Sequence, residues 1–370
     1  MSLKQRWMLP EGIDELMPEQ ATQLEMLRRK LIDRMQSWGY KLVFPPLVEY
    51  LDSLLTGTGK ALDIQTFKLT DQMSGRLMGI RADMTPQLAR IAAHNLRDHD
   101  GVLRLCYIGN VLHTLPKGQG MSRNPIQLGA EIYGHAGPES DMEIVQLMIE
   151  MLAATDLDNG LLLDIGHVGI YRGLANDAGL TDAQEQELFA ALQRKDILQI
   201  QTLLAEYQLS ADSHTMLLAL AELNGGVEVL EQAKQVLSHA SDSVQQALKT
   251  LQSMADLMAQ RLPNISINFD LAELRGYHYH TGVVFAAYQA GSAQAIALGG
   301  RYDDIGADFG HAQPATGFSL DLKAIARQMM SIDDDEQDSI TVEWSDDEAH
   351  QQKIEQLRSQ GQIVTYQLPK

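Results

Sequence analysis

Residues 109–134 read GNVLHTLPKGQGMSRNPIQLGAEIYG, in which two strand-like runs flank a loop that contains glycine, lysine and serine. Two such runs around a Gly-containing loop predict a β-hairpin. The first strand carries His113 and Leu115, and the first arginine of the stretch is Arg123, out in the loop. The hairpin therefore has the pattern of a nucleotide-gripping loop but lacks the cation that would bind a phosphate.

The second strand of this hairpin carries two polar residues, Gln127 and Glu131, in an apolar context. A spacing of four places both side chains on the same face of a strand. A carboxylate in such a strand is costly unless something pairs with it. The pattern leaves two interpretations open, a ligand-binding carboxylate or a salt bridge to a core arginine.

The segments that surround the hairpin predict a mixed fold. Residues 21–40 place Leu24, Leu27, Leu31 and Met35 at helical spacing. KLVFPPLVEY, residues 41–50, predicts a strand at an edge or an interface, because two prolines exclude a helix. Short apolar or alternating runs predict antiparallel strands in TFKLTD, RLMGIRADMT, LRLCYIGNVLHT and IQLGAEIYG.

The second half of the chain predicts further units. Residues 181–262 are almost continuously helical in pattern and indicate a helical insertion, after which strands resume and ATGFSLDLKAIARQMM passes into an amphipathic helix. The acidic run at residues 331–338 predicts a solvated linker. Residues 339–370 predict a short strand-helix-strand appendage, so that residues 1–330 form the core domain.

A second group of polar residues lies in RADMTPQLAR, residues 81–90. Alternation would place Arg81, Asp83 and Thr85 on one face of an extended strand, where Asp83 and Thr85 could hold an ammonium group. The alternative is a polar sheet face, or a helix N-cap at Thr85.

A third group lies in ELRGYHYHTGVVF, residues 273–285, where Arg275 precedes Tyr277, His278, Tyr279 and His280. The cluster indicates a recognition surface. A metal site is disfavoured, because neither cysteine nor carboxylate stands at ligand spacing from the histidines. The glycines of LGGRYDDIGADFG give only a weak phosphate signal, and neither a P-loop nor a GxGxxG motif occurs.

Composition and charge limit the class of protein. The 370 residues are 45% hydrophobic and 21% charged, as in soluble globular proteins, and the formal net charge of −20 disfavours nucleic acid as a partner. The single cysteine, Cys106, lies in an apolar run and predicts a buried thiol. Without a signal peptide or a membrane-length apolar run, we expect a cytoplasmic protein with no membrane contact.

The order of these motifs resembles the catalytic core of histidyl-tRNA synthetase. The segments that carry the resemblance span residues 7–330: KLVFPPLVEY, RADMTPQLA, the hairpin, LRGYHYHTG and GGRYDDIG with PATGFSLDL. The resemblance implies the α+β class II synthetase fold, an antiparallel sheet flanked by helices. It also implies that Pro46 lies in a dimer-forming segment and that residues 181–262 match the insertion of that family.

Four positions depart from that family at its ATP site. The resemblance implies an arginine for the α-phosphate where this chain has His113, and an adenine-reading glutamate where it has Leu115. In the last motif a glycine begins the helix and an arginine clamps the γ-phosphate, and here these positions are Asp321 and Ala324. Each missing charge-assisted contact is worth about 1.5–3 kcal/mol, so we expect a degenerate ATP site and no catalytic residues.

The amino-acid site of the family is better matched. The resemblance assigns the α-amino group of histidine to Asp83 and Thr85, its amino and carboxylate groups to Gln127, its imidazole to Glu131 and its carboxylate to Arg275. Tyr279 matches the first tyrosine of a family pair, and His280 replaces the second, which touches the imidazole. No metal or cofactor is implied.

A synthetase-like chain that keeps a histidine pocket without ATP clamps is similar to the regulatory subunits of ATP phosphoribosyltransferase. The linker and short appendage stand where a synthetase has its anticodon domain, which argues against tRNA. This second resemblance implies a partner, the short-form catalytic subunit, in a hetero-octamer of four plus four chains built on synthetase-like dimers. Its implied function is activation of that glycosyltransferase and feedback inhibition by L-histidine, without aminoacylation.

Two other functions stay open at this point. The first is a residual synthetase that makes histidyl adenylate for an acceptor other than tRNA, with a protonated His113 in place of the arginine. The second is a scaffold that binds no ligand. Asp83 and Glu131 argue against the scaffold, because carboxylates in a core without a ligand are unfavourable.

Overall fold

The structure is a computed structural model that describes residues 7–57, 60–116, 118, 120–155, 157, 160–273, 279–329 and 339–368. The chain divides into two compact units, Met1–Met329 and Met330–Lys370. The predicted acidic linker, residues 331–338, lies outside the described residues.

The described part of the larger unit contains twelve strands, numbered here in chain order: β1 Lys41–Val43, β2 Val48–Tyr50, β3 Phe67–Thr70, β4 Leu77–Ile80, β5 Leu103–Asn110, β6 Ile126–Tyr133, β7 Leu161–His167, β8 Asn224–Gly225, β9 Ser266–Asp270, β10 Val283–Gln289, β11 Ala295–Arg301 and β12 Ala315–Asp321. Nine of them form one sheet in the order β1-β5-β6-β12-β11-β10-β7-β9-β8, and β2-β4-β3 form a small antiparallel sheet. Within the large sheet only the pairs β1–β5 and β7–β9 are parallel.

Helices flank this sheet: α1 Pro18–Ser37, α2 Leu51–Leu54, α3 Lys60–Gln65, α4 Thr85–Arg90, α5 Pro138–Ala153, α6 Val168–Asp177, α7 Asp182–Gln193, α8 Ile197–Glu206, α9 Ala211–Ala219, α10 Glu228–Val236, α11 Asp242–Arg261 and α12 Leu322–Met329. A π-helical turn, Ile91–Asn95, continues α4. The predicted α+β architecture, a mainly antiparallel sheet flanked by helices, is confirmed, and α7–α11 confirm the helical pattern of residues 181–262.

The two faces of the large sheet have different surroundings. On one face a continuous core joins Leu128 of β6 and Phe318 of β12 to buried residues of the helices, such as Met35 of α1 and Met148 of α5. On the other face a smaller cluster contains tyrosines, among them Tyr107 of β5. Because side chains alternate along a strand, residues 127, 129 and 131 of β6 share this second face. The second face is therefore the one that presents polar groups.

The smaller unit consists of β13 Ser339–Glu343, α13 Glu348–Ser359 and β14 Ile363–Gln367. The two strands are parallel, and Ile354 of the helix and Val364 of β14 are buried. The predicted strand-helix-strand order is confirmed.

Two predicted strand extents are wrong. The strand β4 ends at Ile80, so residues 81–85 do not form an extended strand with one polar face. Pro86 in the first turn of α4 favours a helix start there, and Asp83 accepts a hydrogen bond from the Thr85 amide (3.0 Å). Met84, and not Thr85, is the N-cap of that helix.

The first strand of the hairpin also ends earlier than predicted, at Asn110. Pro125 faces it across the hairpin and has no N–H to donate, so the Val111 amide donates to the Pro125 carbonyl (3.1 Å) without a bond in return, and the regular ladder ends there. His113 and Leu115 therefore lie in the connection after β5 and not on the strand.

A buried ion pair joins the end of β11 to helix α5. Arg301 and Asp141 are both buried and approach to 3.0 Å, and Arg301 also donates to the carbonyls of His135 and Gly137. Removing one partner leaves a buried charge without its counterpart, which is strongly destabilising.

We expect Arg301→Met to lower the free energy of unfolding by about 3–5 kcal/mol in urea denaturation, because Asp141 stays buried without a cation. Lys68→Met is the matched control. Its partner Asp63 lies 2.8 Å away, but both side chains are more than 40% exposed, so a loss of about 0–1 kcal/mol is expected. Equal losses in the two variants would contradict this assignment.

Candidate functional site

The carboxylate of Glu131 is the centre of the polar face of the sheet. Glu131 lies on β6, is only 1% exposed and has Leu105 and Gly317 as its neighbours across the ladder. A Cβ atom at Gly317 would lie 1.4 Å from Glu131 Oε2. Glycine at 317 is thus a steric requirement for the buried carboxylate.

Three hydroxyl groups donate to this carboxylate. Thr85 Oγ1 lies 3.1 Å and Tyr107 Oη 3.4 Å from Oε1, and the hydroxyl of Tyr302 donates to Oε2. These partners are neutral, so the salt bridge to a core arginine that the sequence left open is not what the structure shows. The carboxylate has hydrogen bonds but no counter-charge among the described residues that contact it.

Burial raises the pKa of Glu131 to about 8, and the hydroxyl groups of Tyr302 and Thr85 oppose that shift. The nearby carboxylate of Asp83 raises it further. Loss of water destabilises the charged form of a buried acid, and a second negative charge does the same. A ligand that brings a cation or a strong N–H donor to Glu131 would favour its ionised form.

Asp83 and Gln127 form the second part of the site. Gln127 Nε2 donates to Asp83 Oδ1 (2.9 Å), and Gln127 Oε1 accepts from the Met84 amide (2.9 Å). Thr85 connects the two parts, since its amide donates to Asp83 and its hydroxyl to Glu131. The structure therefore brings Asp83, Thr85, Gln127 and Glu131 into one network, although two of them do not lie on a strand.

Two further residues of the predicted histidine site, Tyr279 and His280, lie shortly before β10. Tyr279 is 40% exposed, yet burial of its hydroxyl end and the carboxylates of Asp83 and Glu131 raise its pKa. His280 is buried beside Gly300, where an added Cβ would lie 3.0 Å from its Nε2. Arg275 lies outside the described residues, as do Tyr277 and His278.

A cavity of about 170 Å³ lies beside this network. Its lining includes three of the four positions predicted to form a degenerate ATP site: His113, Asp321 and Ala324. Gln127 lines it too and is shared with the network. Leu115 does not line the cavity and is 61% exposed.

Two polar side chains of this cavity, those of His113 and Asp321, form hydrogen bonds within the chain. His113 Nε2 donates to the carbonyl of Ala82 (2.9 Å). Asp321 accepts from the amides of Lys323 (3.0 Å) and Ile126 (3.3 Å), while burial raises its pKa. The carboxylate thus occupies amide donors at the N-terminus of α12 that an anionic ligand would otherwise use.

Cations near the cavity are bound within the chain as well. Arg123 donates to the carbonyls of His113 (3.0 Å) and Glu11 (3.0 Å), and the Lys323 ammonium lies 3.0 Å from Asp14 Oδ2. Arg327 also pairs with Asp14. These contacts explain Arg123, whose position in the hairpin loop the sequence left without a role: it fastens the N-terminal segment to the hairpin.

Other kinds of site receive no support from the described residues. Within the part of the chain that the structure describes, no group of three or more side chains could hold a metal ion, and no helix is long and apolar enough to cross a membrane. Cys106 is buried as predicted, and burial raises the pKa of its thiol to about 12.

Three residues of the Glu131 network, Tyr107, Tyr302 and Gly317, are not among the residues that the sequence predicts for the site. Tyr302 lies in GGRYDDIG, which was interpreted for its glycines, and Tyr107 lies in an apolar strand run. Gly317 lies in the strand run of ATGFSLDL, before the predicted helix. The signal that could have identified Gly317 is a glycine inside a strand, since glycine there often marks a close approach.

We expect the stability of the chain to fall as pH rises from 5 to 8, because folded Glu131 with a pKa of about 8 binds a proton that the unfolded residue has already lost. A difference of one between the folded and unfolded pKa values of a group changes the free energy of unfolding by about 1.4 kcal/mol. Urea denaturation at several pH values should show this slope in the wild type and a shallower one in Glu131→Gln. Identical slopes would contradict the assigned shift.

Two known families match separate parts of the chain. A family described as histidyl-tRNA synthetase matches residues 12–325, and one described as ATP phosphoribosyltransferase subunit HisZ C-terminal domain matches residues 337–370. A histidyl-tRNA synthetase from Nostoc has a TM-score of 0.80 at 19% identity, covering 98% of this chain and 86% of that chain, which shows the fold alone.

The relatives that are about half identical to this chain share one name. The proteins called ATP phosphoribosyltransferase regulatory subunit from Alkalilimnicola ehrlichii and Nitrosococcus oceani are each 53% identical over 369 residues; the alignments cover 98% and 100% of this chain and 90% and 92% of those proteins. A crystal structure from Bacillus halodurans, titled ATP phosphoribosyltransferase regulatory subunit/histidyl-tRNA synthetase, has a TM-score of 0.86 at 27% identity and covers 99% of this chain and 94% of that chain. The chain belongs to the family of ATP phosphoribosyltransferase regulatory subunits, whose core is that of histidyl-tRNA synthetase.

Proposed function

We propose that this chain is the non-catalytic subunit that activates a short-form ATP phosphoribosyltransferase and makes it sensitive to L-histidine. The reaction is the first step of histidine biosynthesis, the transfer of a phosphoribosyl group to ATP. The observation that carries the proposal is the buried carboxylate of Glu131, whose described hydrogen-bond donors are all neutral hydroxyl groups.

The network suits histidine as its ligand. An imidazole N–H donated to Glu131 would supply the partner that favours the ionised carboxylate. Asp83 lies in the same network and gives the ammonium group of the amino acid a second acceptor. We propose Thr85, Gln127, Tyr279 and His280 as the remaining described contacts of histidine, with Arg275 for its carboxylate.

The neighbouring cavity supports the absence of amino-acid activation. Binding a triphosphate there would require cations, whereas Lys323 and Arg123 are bound to the N-terminal segment. The Asp321 carboxylate would repel a phosphate at the start of α12. We propose that His113, Asp321 and Ala324 mark a former nucleotide site that makes no histidyl adenylate, with Leu115 exposed nearby.

Histidine can regulate a distant active site only if its binding is coupled to a conformational equilibrium of this chain. It must bind two conformations of this chain with different affinity, and the coupling is reciprocal between histidine and the partner subunit. We propose the segment RGYHYHTG, residues 275–282, as the part that differs between the two conformations. Residues 275–278 of it lie outside the described residues.

The proposed assembly is a hetero-octamer of four such chains and four catalytic chains in the cytoplasm, without nucleic acid. An exposed apolar surface beside Pro45 and Pro46 supports self-association into dimers, since Phe44 is 70% and Leu47 46% exposed. We assign residues 1–330 to the core domain, 331–338 to a linker and 339–370 to the appendage.

We expect calorimetry at pH 7 to show that L-histidine binding releases up to about one proton, because Glu131 is mostly protonated in the free chain and ionises against the imidazole N–H. Two buffers of different ionisation enthalpy measure that release. Glu131→Gln should remove the release and weaken binding about tenfold or more, the loss expected for a charge-assisted hydrogen bond.

Glu139→Gln is the control for this experiment, because its side chain is 70% exposed and lies at the start of α5, and it should bind histidine like the wild type. The histidine site is wrong if the wild type binds no histidine, either alone or together with the catalytic subunit.

The alternative function, formation of histidyl adenylate for an acceptor other than tRNA, makes an opposite prediction. We expect no histidine-dependent exchange between pyrophosphate and ATP, since both phosphate clamps are absent and His113 donates to a backbone carbonyl. Exchange at the level of a genuine synthetase, abolished by Glu131→Ala, would establish the alternative and overturn the proposal.

A further inference from the structure

The helical insertion contacts the core at the start of the segment that carries Arg275. Lys195, in the turn between α7 and α8, forms an ion pair with Asp270, the last residue of β9 (Nζ to Oδ2, 2.7 Å). Asp270 is buried, and its other oxygen accepts from the Ala272 amide (3.0 Å). Asp270 therefore holds the first residues of the following turn, five positions before Arg275.

The backbone at Lys195 is unusual. Its φ is +49°, in the left-handed region, where the residue after a helix is most often glycine. A side chain in this region is less favourable than glycine, because its Cβ atom lies close to the following carbonyl oxygen. The conformation directs the chain from α7 into α8, and the ammonium group on this residue reaches Asp270.

Two further contacts join the insertion to the same turn. The Leu271 amide donates to the carbonyl of Leu223 (3.0 Å), and β8 pairs with β9 so that Asn224 lies opposite Asp270. These contacts belong to a different part of the insertion from Lys195. The end of β9 is thus held from two sides by the helical insertion.

The turn lies on the face of the sheet that carries the Glu131 network. Gly166 of β7 lies directly under it, where an added Cβ would be 2.7 Å from the Asp270 carbonyl and 2.7 Å from Glu273 Cβ. Pairing across the sheet continues from Gly166 through Val284, Gly300 and Gly317 to Glu131. The turn after Asp270 therefore covers one end of the row of paired residues that has Glu131 at its other end.

We infer that Lys195 is a positioning residue for ligand binding: through Asp270 it holds the turn at residues 271–273, which precedes Tyr279 and His280 in the chain, and thereby makes the helical insertion part of the histidine sensor. The inference rests on the proposed function, because it assumes that Arg275 and Tyr279 contact histidine. Neither Lys195 nor Asp270 needs to touch the ligand.

Calorimetry of L-histidine with the full chain, or with its complex with the catalytic subunit, tests this inference. Lys195→Asn keeps a residue that tolerates the left-handed backbone but loses the ammonium, and we expect about five-fold weaker histidine binding. Lys195→Arg should restore the wild-type affinity. Asp270→Asn should weaken binding to the same extent, and the double variant no further, because one interaction is removed in each case.

The control is Lys234→Asn in α10, which removes an ion pair with Glu231 within the insertion and does not contact Asp270. It should lower the unfolding midpoint while leaving histidine affinity unchanged. Unchanged affinity in both Lys195→Asn and Asp270→Asn, or equal weakening by Lys234→Asn, would overturn the inference. Absence of histidine binding by the wild type would instead overturn the proposed function.

Discussion

The buried carboxylate of Glu131, which contacts only neutral donors among the described residues, is the constraint on which the site depends. Its oxygen atoms need space, which Gly317 leaves on the neighbouring strand, and donors, which three hydroxyl groups provide. These donors come from β5, from the start of α4 and from the residue after β11. The carboxylate thereby ties separate parts of the chain into one surface.

The Glu131 network and the adjacent cavity differ in how their polar groups are satisfied. Around Glu131 two carboxylates accept from hydroxyl and amide donors, and no described cation contacts them, an arrangement that a positively charged or N–H-donating ligand would complete. In the adjacent cavity Asp321 binds the amides of Lys323 and Ile126, and Lys323 pairs with Asp14. The network can therefore accept a ligand with N–H donors, whereas Asp321 and Lys323 of the cavity are already paired within the chain.

Regular periodicity predicted most of the fold. Leu24, Leu27 and Leu31 identified α1, and the alternation in IQLGAEIYG identified β6, because each pattern matches the period of its element. The alternation of polar and apolar residues predicted the wrong strand ends at two places, each beside a proline. Pro86 favours a helix start after Asp83, and Pro125 has no N–H to extend the ladder beyond Asn110.

The site was predictable only in part for a different reason. Gln127 and Glu131 were found because a polar pair in an apolar strand stands out. Tyr302 and Tyr107 reach Glu131 through pairing between distant strands, and no local pattern reports which residue of one strand faces which residue of another. The contact of Lys195 with Asp270 joins residues 75 positions apart and is of the same kind.

The most direct test is the rate of phosphoribosyl transfer to ATP by a purified short-form catalytic subunit, measured with and without this chain and over a range of L-histidine concentrations. The account predicts that wild-type chain activates the reaction and makes it sensitive to histidine. Glu131→Gln should keep the activation and require much more histidine for inhibition. No activation, or the same histidine sensitivity with both chains, would contradict the account.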